Sequence, residues 1–138
     1  MINTYKEFIK KQPKYVCFSN NDTAENVFDF LSDIENINKM IISCNNDRPA
    51  LAGCIYDLEC RYANDKQFNF QDRHVKQCIG SMVKFILEPF GYESLKSKRM
   101  PKSQTKFFSS AKVYSFNKDK AELTIINNLR IEVINNEK

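Results

Sequence analysis

An α+β fold is expected, with N-terminal helices followed by antiparallel β-hairpins. Three observations predict it. Apolar residues recur near a period of 3.6 up to about residue 90, then give way to short β-prone stretches. Pro89 and Gly91 punctuate that change. Helices first and antiparallel strands second is an α+β order, not the alternation of an α/β chain. With 138 residues, 42% hydrophobic and 28% charged, the chain has the size and composition of one domain with a buried core, residues 1–90 mainly helical and 91–138 mainly β. Only three Gly and four Pro argue against low complexity.

The elements follow in order. "TYKEFIKKQ" sets Tyr5, Phe8 and Ile9 at helical spacing and ends before Pro13. "KYVCFS" is a strand candidate over Tyr15 to Phe18. "NDTAENVFDFLSDIENINKMII" opens with an Asp22/Glu25 pair resembling a capping box. Val27, Phe28, Leu31, Ile34 and then Ile37 or Ile41 form the apolar stripe of a helix over 24–42, with a break near Asn36 left open. In "NNDRPALAGCIYDLECRYAND", Asp47 can cap and Pro49 suits a first turn. Leu51, Ile55, Leu58 and Tyr62 make one stripe over 49–62. The strongest helix is "FQDRHVKQCIGSMVKFILEPFGY", residues 72–88. Asp72 is its N-cap, Val75, Ile79, Met82, Val83 and Ile86 its buried face, and Pro89 and Gly91 its end. "YESLKSK" and "TKFFSSAKVYSF" read as strands around a basic turn with Pro101. Asn117 to Lys120 is a polar turn into "AELTII", giving a further hairpin, and "NNLRIEVINN" adds a strand with Leu129, Ile131 and Val133 on one face.

Several chemistries are disfavoured. Structural zinc needs four Cys or His ligands, usually in close pairs, whereas this chain has one His and no CxxC among Cys17, Cys44, Cys54, Cys60 and Cys78. Three scattered glycines cannot cradle a phosphate, so no cofactor is expected. His74 lies one residue off the apolar stripe and reads as structural, and Cys78 beside Ile79 reads as core edge. Asp57 and Glu59 flank Leu58 and so point in different directions. Asp29 and Asp33 share a helix face at i, i+4 and could hold a divalent cation, although such pairs are more often a solvated surface. A catalytic set is not present, and a non-enzymatic role is expected. No apolar run approaches the ~18 residues of a membrane span. The opening "MINTYKEFIKKQPK" lacks the apolar core of a secretory signal, so no membrane association and a cytoplasmic location are expected.

Charge is segregated. Residues 22–72 carry ten acids against four bases, a net of −6, whereas residues 93–118 carry +6 and the whole chain +4. Within "GYESLKSKRMPKSQTKFFSSAKVYSF" there are six Lys or Arg and one acid, Glu93. The preceding helix bears Arg73, Lys76, Gln77, Gly80, Ser81 and Lys84 opposite its buried stripe. Lys and Arg there can neutralise phosphates, Gln can read a base edge, and the small residues permit close approach. Lys96, Lys98, Arg99, Lys102, Lys106 and Lys112 follow before the next acid, Asp119, with Phe107, Phe108, Tyr114 and Phe116 anchoring the strands. A charge run is usually a solvated face; the order of basic helix and then basic hairpin raises this one.

That order resembles winged-helix DNA-binding domains, in which a recognition helix enters the major groove and the following wing contacts phosphates. The resemblance implies three helices at 24–42, 49–62 and 72–88 and wing strands within 92–116. "GSMVKFILEPFGYESLKSKRMPKSQTKFFSSAKVY" also resembles small proteins of low-GC bacteria and their mobile elements. One departure is the eight-residue "ANDKQFNF" between the last two helices, where a helix-turn-helix uses three or four. The implied partner is DNA, bound through Arg73, Lys76, Gln77, Lys84, Lys96, Lys98, Arg99, Lys102, Lys106 and Lys112, in a regulator or accessory factor of a plasmid or phage. On this reading, joint replacement of Lys98, Arg99 and Lys102 weakens binding to all sequences, whereas Arg73 and Gln77 set preference. The alternative is an inhibitor of a host nuclease or defence complex, of the anti-CRISPR kind, with a protein partner met through the acidic 22–72 segment. A nuclease or other RNA-processing enzyme is a third possibility, with no catalytic set to support it.

Overall fold

Among the described residues, the apolar stripes become the packing faces of five α-helices. The structure, a computed structural model, describes residues 4–11, 21–64, 73–100, 110–127 and 129–134. Helix α1 spans Tyr5–Lys11. It begins with a reciprocal cap: Thr4 N donates to Glu7 Oε1 at 2.9 Å and Glu7 N donates to Thr4 Oγ1 at 3.2 Å. Phe8 is fully buried, with ring centroids 5.6 Å from Phe28 and 5.5 Å from Phe85.

Helix α2, described over Asn21–Leu31, includes Asp22, so Asp22 lies within the helix and not at its cap. The long helix expected over 24–42 does break, at Ser32–Asp33, three residues before Asn36. Asp33 is extended (φ −66°, ψ 139°) and caps helix α3, Ile34–Asn45, by accepting from Glu35 N at 3.3 Å. Asn36 instead holds the joint closed, its Nδ2 donating to Phe30 O at 2.8 Å.

The helix expected over 49–62 is two pieces, a 3-10 turn at Ala50–Gly53 and helix α4, Ile55–Arg61. Asp47 takes a left-handed φ of 59° in the loop before it, so it is no helix cap. The turn packs tightly on α3: a Cβ added at Gly53 would lie 2.6 Å from Lys39 O. Leu51, Ile55, Leu58 and Tyr62 are buried nonetheless, because both pieces present the same stripe. Helix α5, Arg73–Leu87, buries Val75, Ile79, Met82, Val83 and Ile86 as its period requires. It runs into a 3-10 turn at Glu88–Phe90 and stops at Gly91, whose φ of +89° suits glycine.

The chain then becomes β. Strand β1, Tyr92–Arg99, pairs antiparallel with β2, Ser110–Phe116. Strands β3, Leu123–Ile126, and β4, Arg130–Val133, form a separate two-stranded sheet, with Asn127 at φ 63° in its turn. The hairpin expected to join β2 to β3 through 117–120 does not form. A 3-10 turn at Lys118–Lys120 intervenes, and two hydrogen bonds carry the chain back to the end of α5: Asn117 N to Gly91 O at 2.6 Å and Glu122 N to Pro89 O at 2.7 Å. On β4, Ile131 packs against the core, while Leu129 and Val133 are exposed. The expected strand over Tyr15–Phe18, the cap Asp72, and Pro101, Phe107 and Phe108 lie outside the described residues.

One apolar cluster unites these parts. Val27, Phe28 and Leu31 of α2, Met40 of α3, Leu58 of α4, and Ile79, Met82 and Leu87 of α5 are all fully buried in it. Burying each such side chain contributes about 1.5–3 kcal/mol. The sheet of β1 and β2 is fastened over it by Tyr92 and Tyr114, both buried, with Tyr92 Oη donating to Asn45 Oδ1 at 2.8 Å.

Candidate nucleic-acid interface

The helical period that buries one side of α5 turns the other side toward β1 and β2. Arg73, Lys76, Gln77, Gly80, Ser81 and Lys84 form one wall of a groove of about 550 Å³, and Ser94 and Ser97 of β1 with Lys112 of β2 line the other. From Arg73 to Lys84 the helix rises about 16 Å. The buried side chains Leu51, Val83 and Tyr114 close the groove on its inner side. A Cβ added at Gly80 would meet nothing within 4 Å, so this position leaves the groove open. No Asp or Glu is among the described residues lining it.

The hairpin register decides which cations reach this groove. Residues directly opposite each other in an antiparallel pair share a face, and the face alternates along the strand. Ser94 is opposite Tyr114 and Ser97 is opposite Lys112, and all four line the groove. Between them the register shifts, leaving Leu95 without an opposite number, a β-bulge. Lys96, opposite Val113, and Lys98, opposite Ala111, therefore alternate to the other face; the small Ala111 still borders the groove, whereas neither lysine is among its lining residues.

There Lys98 is engaged. Its Nζ donates to Asp47 Oδ2 at 2.8 Å and to Asp47 O at 2.9 Å, latching the hairpin to the loop after α3. The Lys98 ammonium, with Lys96 further off, holds the Asp47 carboxyl below the usual carboxylate range. Glu93 is similarly lowered, by hydrogen bonds from Asn117 Nδ2 at 2.8 Å and Lys120 Nζ at 3.0 Å.

Of the expected contact residues, Arg73, Lys76, Gln77, Lys84 and Lys112 are thus brought together. Lys96, Lys98 and Arg99 are exposed but stand outside the groove lining, and Lys102 and Lys106 lie outside the described residues. The groove's two serines on β1 were not singled out by sequence, because the bulge breaks the alternation that would have placed them.

Elsewhere, Asp29, Asp33, Glu35 and Asp57 line a cleft with Lys39 and Arg61. Lys39 Nζ lies 3.6 Å from Asp57 Oδ2, and the Arg61 guanidinium sits 4.7 Å over the Phe30 ring. Asp33 is spent on capping α3, and no group of three or more potential metal ligands occurs among the described residues. Asp57 is exposed whereas Glu59 is buried, so the two carboxylates diverge. Burial pushes the Cys44 thiol up to about 11 and the Cys54 thiol to about 12, which makes both poor nucleophiles. Cys78 is also buried. No helix among the described residues is long and apolar enough to cross a membrane. Compared with protein-family models, with curated proteins and with solved structures, the chain has no significant match.

Proposed function

We propose that this protein is a non-enzymatic nucleic-acid-binding protein, with DNA as its polyanion, and that the groove between α5 and the β1–β2 hairpin is where it binds. The observation that carries the reading is the convergence of Arg73, Lys76, Lys84 and Lys112 on one groove whose described lining holds no carboxylate. Cations so placed neutralise successive phosphates and release counterions, which drives association. The serine hydroxyls and Gln77 add donors for phosphate, sugar or base edges. The order of a helix and then a basic hairpin supports the same reading, and the role proposed is that of a regulator or accessory factor of a plasmid or phage. An anisotropy titration against DNA at several salt concentrations tests it. With four phosphate contacts, log affinity falls with log salt at a slope of about −3 to −4. An affinity that is absent or indifferent to salt overturns it.

A second reading draws support from the acidic cleft of Asp29, Asp33, Glu35 and Asp57. There the protein inhibits a host nuclease or defence complex by presenting carboxylates to its nucleic-acid groove. A partner that stays bound after nuclease treatment, and that is released when these four residues are replaced by amides, favours it over the first.

A further inference from the structure

A helix that reads duplex DNA must stand clear of its own protein. With side chains it is about 10–12 Å across, and it fills a major groove about 12 Å wide. The polar side of α5 does not stand clear. Arg73, Lys76, Gln77 and Lys84 face a groove whose opposite wall carries Lys112. The groove, about 550 Å³, runs between these two walls.

We infer that the groove takes a single-stranded polynucleotide, a conclusion that rests on the nucleic-acid reading above and sharpens it. The basic wall of about 16 Å matches about five phosphates of a stacked strand, at about 3.4 Å each. Among the described residues lining the groove the one aromatic is Tyr114, which is only 2% exposed and so offers no platform for stacking bases. Contact is therefore with the phosphate–sugar backbone, and base preference is weak. Gly80 matters by what it lacks: open space over its Cα leaves the passage clear between the two walls.

The test compares one labelled mixed-sequence oligonucleotide, single-stranded and annealed to its complement, by anisotropy over a salt series. The single strand binds at least about tenfold more tightly, because a duplex that cannot seat forfeits at least one charge-assisted contact. With four groove cations engaged, its salt slope is about −3, and Lys112→Gln makes the slope shallower by about 0.7. Gly80→Leu obstructs the groove without altering charge or crowding the core, and it abolishes the preference for the single strand while circular dichroism shows the fold retained. A duplex that binds as tightly as the single strand, or a Gly80→Leu protein with undiminished preference, overturns the inference and leaves the nucleic-acid reading standing. If neither form binds, both fall.

Discussion

Lys112 and Lys98 occupy adjacent rungs of one hairpin, Ser97 opposite Lys112 and Lys98 opposite Ala111, yet their electrostatic situations differ completely. Lys112 lines a groove with three cations of α5 and no described carboxylate. Lys98 closes on Asp47 at 2.8 Å and fastens the hairpin to the helical half. The first kind of lysine is available to a ligand; the second serves the fold. Counting lysines along 93–118 cannot separate them, because the distinction lies in strand parity and in which loop the far side meets.

Three experiments would break or sharpen this contrast. Both faces are mounted on the α5 core, so Ile79→Ala, which empties a fully buried position, is expected to destabilise the fold by about 2–5 kcal/mol. Chemical denaturation measures it, and an unchanged midpoint would mean that α5 is not the platform. Next, the pair Lys84→Ala and Lys112→Ala is expected to make the salt slope of nucleic-acid binding shallower by about 1.5–2, the loss of two phosphate contacts. Lys98→Ala should leave the slope unchanged, which departs from the sequence expectation that Lys98 contributes generally to binding. Equal effects from both would erase the difference between the two faces.

The smallest effect is the acid response of the latch. The Asp47 carboxyl is lowered on folding, so its contribution is fully present above the usual carboxylate range, about pH 4. It is lost as pH falls through the depressed folded value. Carboxyl carbon shifts followed by NMR should show Asp47 titrating below an ordinary Asp, and Lys98→Ala should restore the ordinary value. An Asp47 that already titrates normally would mean that the contact does not hold in solution.

Much of the fold was legible because periodicity reports burial directly. The stripes Leu51, Ile55, Leu58, Tyr62 and Val75, Ile79, Met82, Val83, Ile86 are buried throughout. What was not legible depended on tertiary partners. Asp33 could be read as a helix residue or as a cap, and Asn36 as a breaker or as a clamp, until the carbonyl of Phe30 was in place to accept from it. The separation of β3 from β2 follows from bonds to Gly91 and Pro89, residues some thirty positions upstream. At the candidate site, the helical wall was legible from its polar stripe. The hairpin wall was not, since one extra residue shifts every later side chain to the opposite face.

That residue is Leu95. Were the ladder regular, Lys96 would fall directly opposite Lys112 and Lys98 opposite Ser110, bringing like charges onto one rung, an unfavourable arrangement. The irregularity thus acts as a sorting device, dealing the lysines of one short ribbon alternately to a scaffold and to a visitor. Deleting Leu95 alone would straighten the ribbon and preserve that allotment, whereas inserting a residue opposite it would restore pairing at the bulge but turn Lys96 and Lys98 to the face of Ser94 and carry Lys112 away from it.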